Sequence, residues 1–443
     1  MKYIHNGEII NPLWKESNYE KQEDLLTKGI VPEYSEINFS QYPRLADTEN
    51  PMQRIWSDGA WIKVFLAYGC YWHKCEFCDT SLEYVNHYCM GETKKLFYGL
   101  KNQTEKTGVY GLHFVDEACP PVALEKFALL NCIQDGKPRF TYWGNIRFEK
   151  TFTKDLADLL SYGGLTGISA GIEIATGSGL SSVNKGTDMQ NIVSDCCAFK
   201  EAGILIHSYM IFGFWNQSEQ DLIDSMETLR QLFEEGLLNS AFWHKFTLTL
   251  HSTVYREWKE GKNSDLKPLP QKKDSFSENT IHYIGENKSE KYSDALNTSL
   301  SNWMIGKKIS KDVCTWFNFK MPSPTVKKNY IHSLVNNYEK QKEKLFANTD
   351  DGLFVWLGGK VIILRSSNGT CQISWSYMDE LLYADVVRVN IEKVASLLNS
   401  IRPENAEEDK SFGVKTNELI EVLGKGLFVQ LRGKGLCKLL MKK

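Results

Sequence analysis

The sequence has no apolar run of the ~18–20 residues that a bilayer span requires. Its longest candidate, Ile204–Trp215, is shorter and carries His207 and Ser208. The N-terminal MKYIHNGEII lacks the apolar stretch of a secretory signal. Charge of one sign is also scarce: 52 Lys+Arg stand against 55 Asp+Glu, a formal net charge of −3. That excludes a bulk electrostatic pull toward nucleic acid or anionic membrane. A disulfide framework is excluded too, because eleven cysteines is an odd number and a chain of 443 residues does not need staples. Internal repeats and low-complexity tracts are absent. The expectation is a cytoplasmic protein with reduced thiols and no membrane partner.

What the sequence does have is material for a core. It is 42% hydrophobic, with 12 Trp, 20 Tyr and 22 Phe, which rules out wholesale disorder. At about 100–200 residues per domain the length suggests two or three domains. Residues 1–57 read as an N-terminal extension or linker broken by Pro12, Pro32, Pro43 and Pro51. A regular alternation follows over residues 58–255. Its strand candidates are Trp61–Tyr68, Gly111–Val115, Phe140–Gly144, Gly167–Ile174, Ile204–Phe212 and Ala241–Leu250. Helical patterns lie between them. In Gln217–Glu235, Leu222, Met226, Leu229 and Phe233 fall on one face, Ser218 with Asp221 suggests a capping box, and Gly236 suggests the stop. Thr153 and Asp188 are placed to open two more helices. Strands alternating with helices imply a parallel sheet, either an open doubly wound sheet or a barrel. A charged stretch with Pro268 and Pro270 suggests a boundary near 256–275, then a helical accessory segment over 276–345 and a small α+β domain over 346–443. Gly358–Gly359 between two apolar runs suggests a hairpin, and the basic end Lys425–Lys443 reads as a solvated tail or amphipathic face.

The strongest chemical signal is Gly-Cys-Tyr-Trp-His-Lys-Cys-Glu-Phe-Cys-Asp at 69–79, directly after the first strand candidate. Three soft thiolates so close, Cys70, Cys75 and Cys78, suit an iron–sulfur cluster or zinc. A four-iron cluster normally takes four thiolates, so three leave one iron open to a ligand. Zinc would require a fourth donor, for which Cys89 and His73 are the candidates. The position favours the cluster, because the C-terminal edge of a β/α sheet is where ligands bind. The scattered cysteines read as small buried hydrophobes.

The cysteine motif, with Phe77 just before its last cysteine, resembles that of the radical S-adenosylmethionine (SAM) superfamily, though its first gap is one residue longer than usual. Further segments match in order: Phe114–Glu117, Trp143–Arg147, Gly171–Glu173 followed by Asn184–Thr187, and Ser208–Phe214. The style is that of the branch holding the cobalamin-dependent radical enzymes and methylthiotransferases. No Asp-x-His-x-x-Gly cobalamin fingerprint occurs, and the expectation is that the 69 residues before the triad are too few for a cobalamin-binding domain.

The resemblance implies an α/β fold, a partial (β/α)6 TIM-like radical SAM barrel with a smaller C-terminal α+β region. It implies a [4Fe-4S] cluster on Cys70, Cys75 and Cys78, and SAM bound at the open iron. SAM would be held by Phe77 near adenine, Asp116 and Glu117 at the ammonium, Arg147 with Asn145 at the carboxylate, Glu173 at the ribose, and the backbone of Ile211 and Gly213 near adenine. Lys185 reads as a helix-start residue. An electron donor such as flavodoxin or ferredoxin is implied, acting toward an unidentified substrate, with a small molecule or peptide favoured over RNA. Two other readings stand beside this one: a zinc-stabilised, non-enzymatic binding protein, and a degenerate cluster-binding homologue with a regulatory role.

Overall fold

The computed structural model describes residues 3–5, 8–10, 20–41, 61–132, 138–271, 278–365, 371–405 and 412–440. Pro12, Pro43, Pro51, the 272–275 end of the expected boundary and the last three residues of the basic tail lie outside these.

Six strands form one sheet: β1 (Trp61–Val64), β2 (Gly111–Phe114), β3 (Thr141–Ile146), β4 (Leu165–Glu173), β5 (Leu205–Phe212) and β6 (Ser240–Lys245). All neighbours are parallel and the spatial order is the chain order. A doubly wound sheet reverses its strand order at a switch point; this sheet does not, so it winds one way only. β1 and β6 each pair on a single side, which makes the sheet an incomplete (β/α)6 barrel.

The helices α1 (Thr93–Thr107), α2 (Pro121–Cys132), α3 (Lys154–Tyr162), α4 (Met189–Glu201) and α5 (Glu219–Glu234) form the outer layer, with α1 against α2, α2 against α3 and α3 against α4. Their starts follow local chemistry. Thr153, Asp188 and Ser218 each accept a backbone N–H of the first turn, and Ser218 with Asp221 completes a capping box. The strands' outward residues, among them Ile62, Phe114, Ile168 and Ile206, pack under Phe97, Phe127, Leu159 and Phe199. Each such side chain contributes about 1.5–3 kcal/mol by leaving water.

The expected first strand is shorter than its apolar run. It breaks after Val64 because the buried Asp116 carboxylate takes the backbone N–H groups of Leu66 (3.0 Å) and Ala67 (2.8 Å). Ala67–Tyr68 then pairs with Cys89–Met90 instead. Likewise β6 ends at Lys245, five residues before its expected limit.

Helices α6 (Ser293–Met304) and α7 (Tyr330–Ala347) lie against β6, α5 and α4 and share the barrel's core through Leu296, Trp303, Ile331 and Tyr338. The C-terminal region adds β7 (Leu353–Trp356), β8 (Ile362–Arg365), β9 (Cys371–Tyr377), β10 (Glu380–Asp385), α8 (Ile391–Ser400), β11 (Val414–Lys415), α9 (Thr416–Leu431) and β12 (Leu436–Lys438). The hairpin expected around Gly358–Gly359 does not form. β7 is the centre of a β11-β7-β12 sheet and β8 belongs to a separate β8-β9-β10 sheet. β7 is buried on both faces, so it needs a partner on each side: Leu353 and Val355 enter the barrel's core while Phe354 and Trp356 enter the C-terminal one.

Candidate functional site

The cysteine loop leaves the sheet at Gly69, whose φ is +74° and where a Cβ would lie 2.1 Å from the His87 carbonyl oxygen. Backbone bonds pin the loop from three directions. Cys70 N–H donates to Val85 (2.9 Å), Glu76 N–H to Val183 (3.0 Å), and Val254 N–H to the Glu76 carbonyl (3.0 Å). Asp79 accepts from Asn279 (2.9 Å) and from the Thr249 hydroxyl. His73 takes a positive φ of 35° and donates its Nδ1–H to the Cys70 carbonyl at 2.8 Å.

Cys70, Cys75 and Cys78 line one cavity of about 420 Å³ at the C-terminal ends of the strands. Cys75 is buried and the other two are half-buried. The closeness of the two thiols draws Cys75 below the usual range and, together with burial, pushes Cys78 well above it. Among the described residues no group of three or more His, Cys, Asp and Glu side chains is gathered to hold a single metal ion. Cys89, a candidate fourth zinc donor, faces the Asp24 carbonyl and does not line the cavity; His73 does.

Of the residues expected around the thiols, Phe77, Glu117, Asn145, Arg147 and Glu173 line the same cavity. Arg147 is buried: its guanidinium lies 4.1 Å from the Trp72 ring, bonds Glu149 (3.1 Å) and the carbonyls of Lys185 (2.7 Å) and Gly186 (2.8 Å), and keeps its Nε–H without a partner. Glu173, at a positive φ of 67°, pairs with Lys185 at 2.8 Å, both buried. Burial alone would lower Lys185; the Glu173 carboxylate and the Cys75 thiolate outweigh it and hold the ammonium above its ordinary value.

Asp116, Ile211 and Gly213 are not brought to the cavity wall. Asp116 turns back to the β1 turn, with burial pushing its carboxyl up to about 6, and Asn145 donates to its carbonyl at 3.1 Å. Ile211 packs with Ile174, Val183 and Phe246. Gly213 donates to Gln217 Oε1 at 2.7 Å and stands beside Ser289.

The sequence reading passed over Trp72, Ser169 and Tyr209 and took Lys185 for a helix-start residue, yet all four are on the cavity wall. Two-residue alternation carries the signal for Ser169, which stands two and four residues before Gly171 and Glu173, and for Tyr209, two before Ile211. Trp72 and Lys185 sit in loops, where no periodicity reports direction. Gly186, at φ +67°, admits the Trp72 ring where a Cβ would lie 2.0 Å from it.

No family model and no curated protein matches the chain. Several solved structures are similar to it at low identity. The radical S-adenosylmethionine methyltransferase TsrM from Kitasatospora setae is 12% identical with a TM-score of 0.45, over 65% of this chain and 62% of that one. The cobalamin-dependent S-adenosylmethionine radical enzyme OxsB is 10% identical with a TM-score of 0.46, over 78% and 59%. Methylornithine synthase, PylB, is 10% identical with a TM-score of 0.35, over 63% and 81%. The chain thus spans about three fifths of the length of the first two. These are distant likenesses, and the chemistry of this chain is read from its own site.

Proposed function

We propose that this protein is a radical SAM enzyme. The observation that carries the reading is the meeting of three thiols with a buried Arg147 and a buried Glu173–Lys185 pair around one cavity. The donor set fits a [4Fe-4S] cluster held by Cys70, Cys75 and Cys78, with one iron left for SAM. When bound and reduced, the cluster supplies the electron that splits SAM into methionine and a 5′-deoxyadenosyl radical able to take a hydrogen atom from a substrate.

The chain's own part is to bind, orient and exclude water. Arg147 has an unpartnered Nε–H suited to a carboxylate. Glu117 stands at the cavity mouth, where it can accept from an ammonium. Glu173 can exchange part of its bond with Lys185 for a pair of hydroxyls. Phe77 offers an apolar surface continuous with the Ile174 and Val183 cluster. Asp116 acts at one remove by fixing the turn that leads to Cys70. An electron donor such as flavodoxin or ferredoxin completes the system, and a small molecule or a peptide is the favoured substrate class over RNA. No helix among the described residues is long and apolar enough to cross a membrane.

The test is SAM turnover by anaerobically reconstituted, chemically reduced protein. The expected products are methionine and 5′-deoxyadenosine in equal amounts. A folded sample with its full iron content that leaves SAM intact would overturn the proposal.

A further inference from the structure

The inner face of the barrel below the thiols has its own composition. Alternate residues of each strand face away from the helices. While Leu112, Tyr142, Ile168, Ile206 and Ala241 fill the core under the helices, their neighbours turn to the concave side. The register sets His113 beside Trp143, Asn145 beside Ser169, Ser169 beside His207, and Tyr209 beside Phe242. The rings are in contact. His113 stacks on Trp143 at 3.8 Å and 9°, His207 meets Tyr209 at 4.9 Å, Tyr209 meets His244 at 5.6 Å, and Phe242 meets His244 at 4.7 Å. Tyr209 and Ser169 also line the cavity of the thiols, and Tyr209 joins that cavity to the other rings through His207 and His244.

Two features point to a ligand. Ser169 is fully buried, yet its hydroxyl has no hydrogen-bond partner; the Trp143 Nε1–H is also buried and unpartnered. A buried donor left unmade keeps its full desolvation penalty, and an indole N–H can be satisfied only by an acceptor. Phe242, by contrast, is 52% exposed on the same face, a large ring left in solvent beside other rings. Burial lowers the His244 imidazole and, helped by His244, holds the His207 imidazole down at about 3.

Taking the cavity as the reaction site, and so resting on the reading above, we infer that this concave face receives the substrate as a flat, uncharged aromatic or heteroaromatic ring bearing a hydrogen-bond acceptor. The ring lies among Trp143, Tyr209, Phe242 and His244, and its acceptor meets Ser169 and Trp143. Aromatic pairs favour offset or edge contacts of this kind and discriminate against saturated rings of equal size. The ring is carried either by a free small molecule or by a peptide side chain.

The test is a calorimetric titration of the reconstituted, SAM-loaded protein with three probes: benzamide, cyclohexanecarboxamide and the blocked peptide acetyl-Gly-Tyr-Gly-amide, whose phenol oxygen is an acceptor. Benzamide and the saturated amide share an acceptor and differ in the ring. Benzamide is expected to bind about 2- to 12-fold more tightly, the worth of one aromatic contact. Phe242→Ala and Phe242→Leu are both expected to remove a similar factor, and because Phe242 is exposed, neither threatens folding. Tighter binding of the peptide than of benzamide assigns the ring to a peptide; the reverse assigns it to a small molecule. Equal affinity for the two amides, or indifference to both Phe242 variants, would overturn the inference. SAM cleavage with no preference for the ring sinks this inference alone. Ring binding by protein that takes up no iron supports it and sinks only the radical chemistry.

Discussion

Lys185 and Glu173 show how much a single buried pair can decide. Both are about nine-tenths buried, and removing one partner leaves an uncompensated charge. Lys185→Met is expected to cost about 3–5 kcal/mol in chemical denaturation, with Lys185→Arg recovering much of it; a Met variant as stable as the parent would show that the pair does not form. Asp116 gives a second test with a defined sign. Its carboxyl is held up at about 6 by burial, above the ~3.9 of an unfolded chain. Between those values the unfolded state gives up its proton first. This group therefore lowers stability as pH rises from about 4 to about 6, and the loss persists above that. Asp116→Asn keeps an acceptor for the Leu66 and Ala67 N–H groups and removes the charge. Urea denaturation of the two proteins across that range should show the parent losing roughly 2–3 kcal/mol relative to the variant; parallel profiles would contradict it.

At this scale the sequence was informative where spacing alone defines chemistry. Three cysteines in nine residues suggest an iron–sulfur or zinc site from spacing alone, and the structure brings all three to one cavity. It was misleading where a side chain's direction depends on the turn that follows: Asp116 ends a strand at the cavity's edge, but two free backbone N–H groups on the neighbouring turn draw it away. Lys185 was legible only as a helix-start residue until the backbone put it against Glu173.

At the scale of elements the agreement is closer, because capping and periodicity are local. The helix starts at Thr153, Asp188 and Ser218 and the six strand positions were all readable. Ser218→Ala removes the α5 cap and is expected to lower stability by about 1 kcal/mol, seen as a lower midpoint at unchanged denaturant slope; no shift would mean the cap is replaced from elsewhere. The Gly358–Gly359 region failed for a physical reason. A two-glycine turn between apolar runs is a hairpin signal only if the runs need each other. β7 already has a neighbour on each side, from segments about 60 and 80 residues further along the chain, and pairings at such range leave no local mark.

For the whole molecule, the question is whether the C-terminal region is a separate body. β7 feeds two cores, and the junction carries a buried ion pair, Arg432 to Asp155 at 2.5 Å, beneath a Leu440 N–H bond to Glu125 at 2.6 Å. Arg432 also lies 4.9 Å from the Phe354 ring. A single thermal transition is expected for the intact chain. Arg432→Ala should separate it into two, at a cost of about 3–5 kcal/mol; a single, barely shifted transition would show that the junction is held by apolar contacts alone.

The central claim is that Cys70, Cys75 and Cys78 hold a cluster with one iron open to SAM, and electron paramagnetic resonance of the reduced, reconstituted protein reads that iron directly. Adding SAM is expected to change the cluster's signal, and the change should vanish together with the signal in Cys75→Ala. A cluster spectrum indifferent to SAM, or protein that takes up zinc and no iron, would contradict the account.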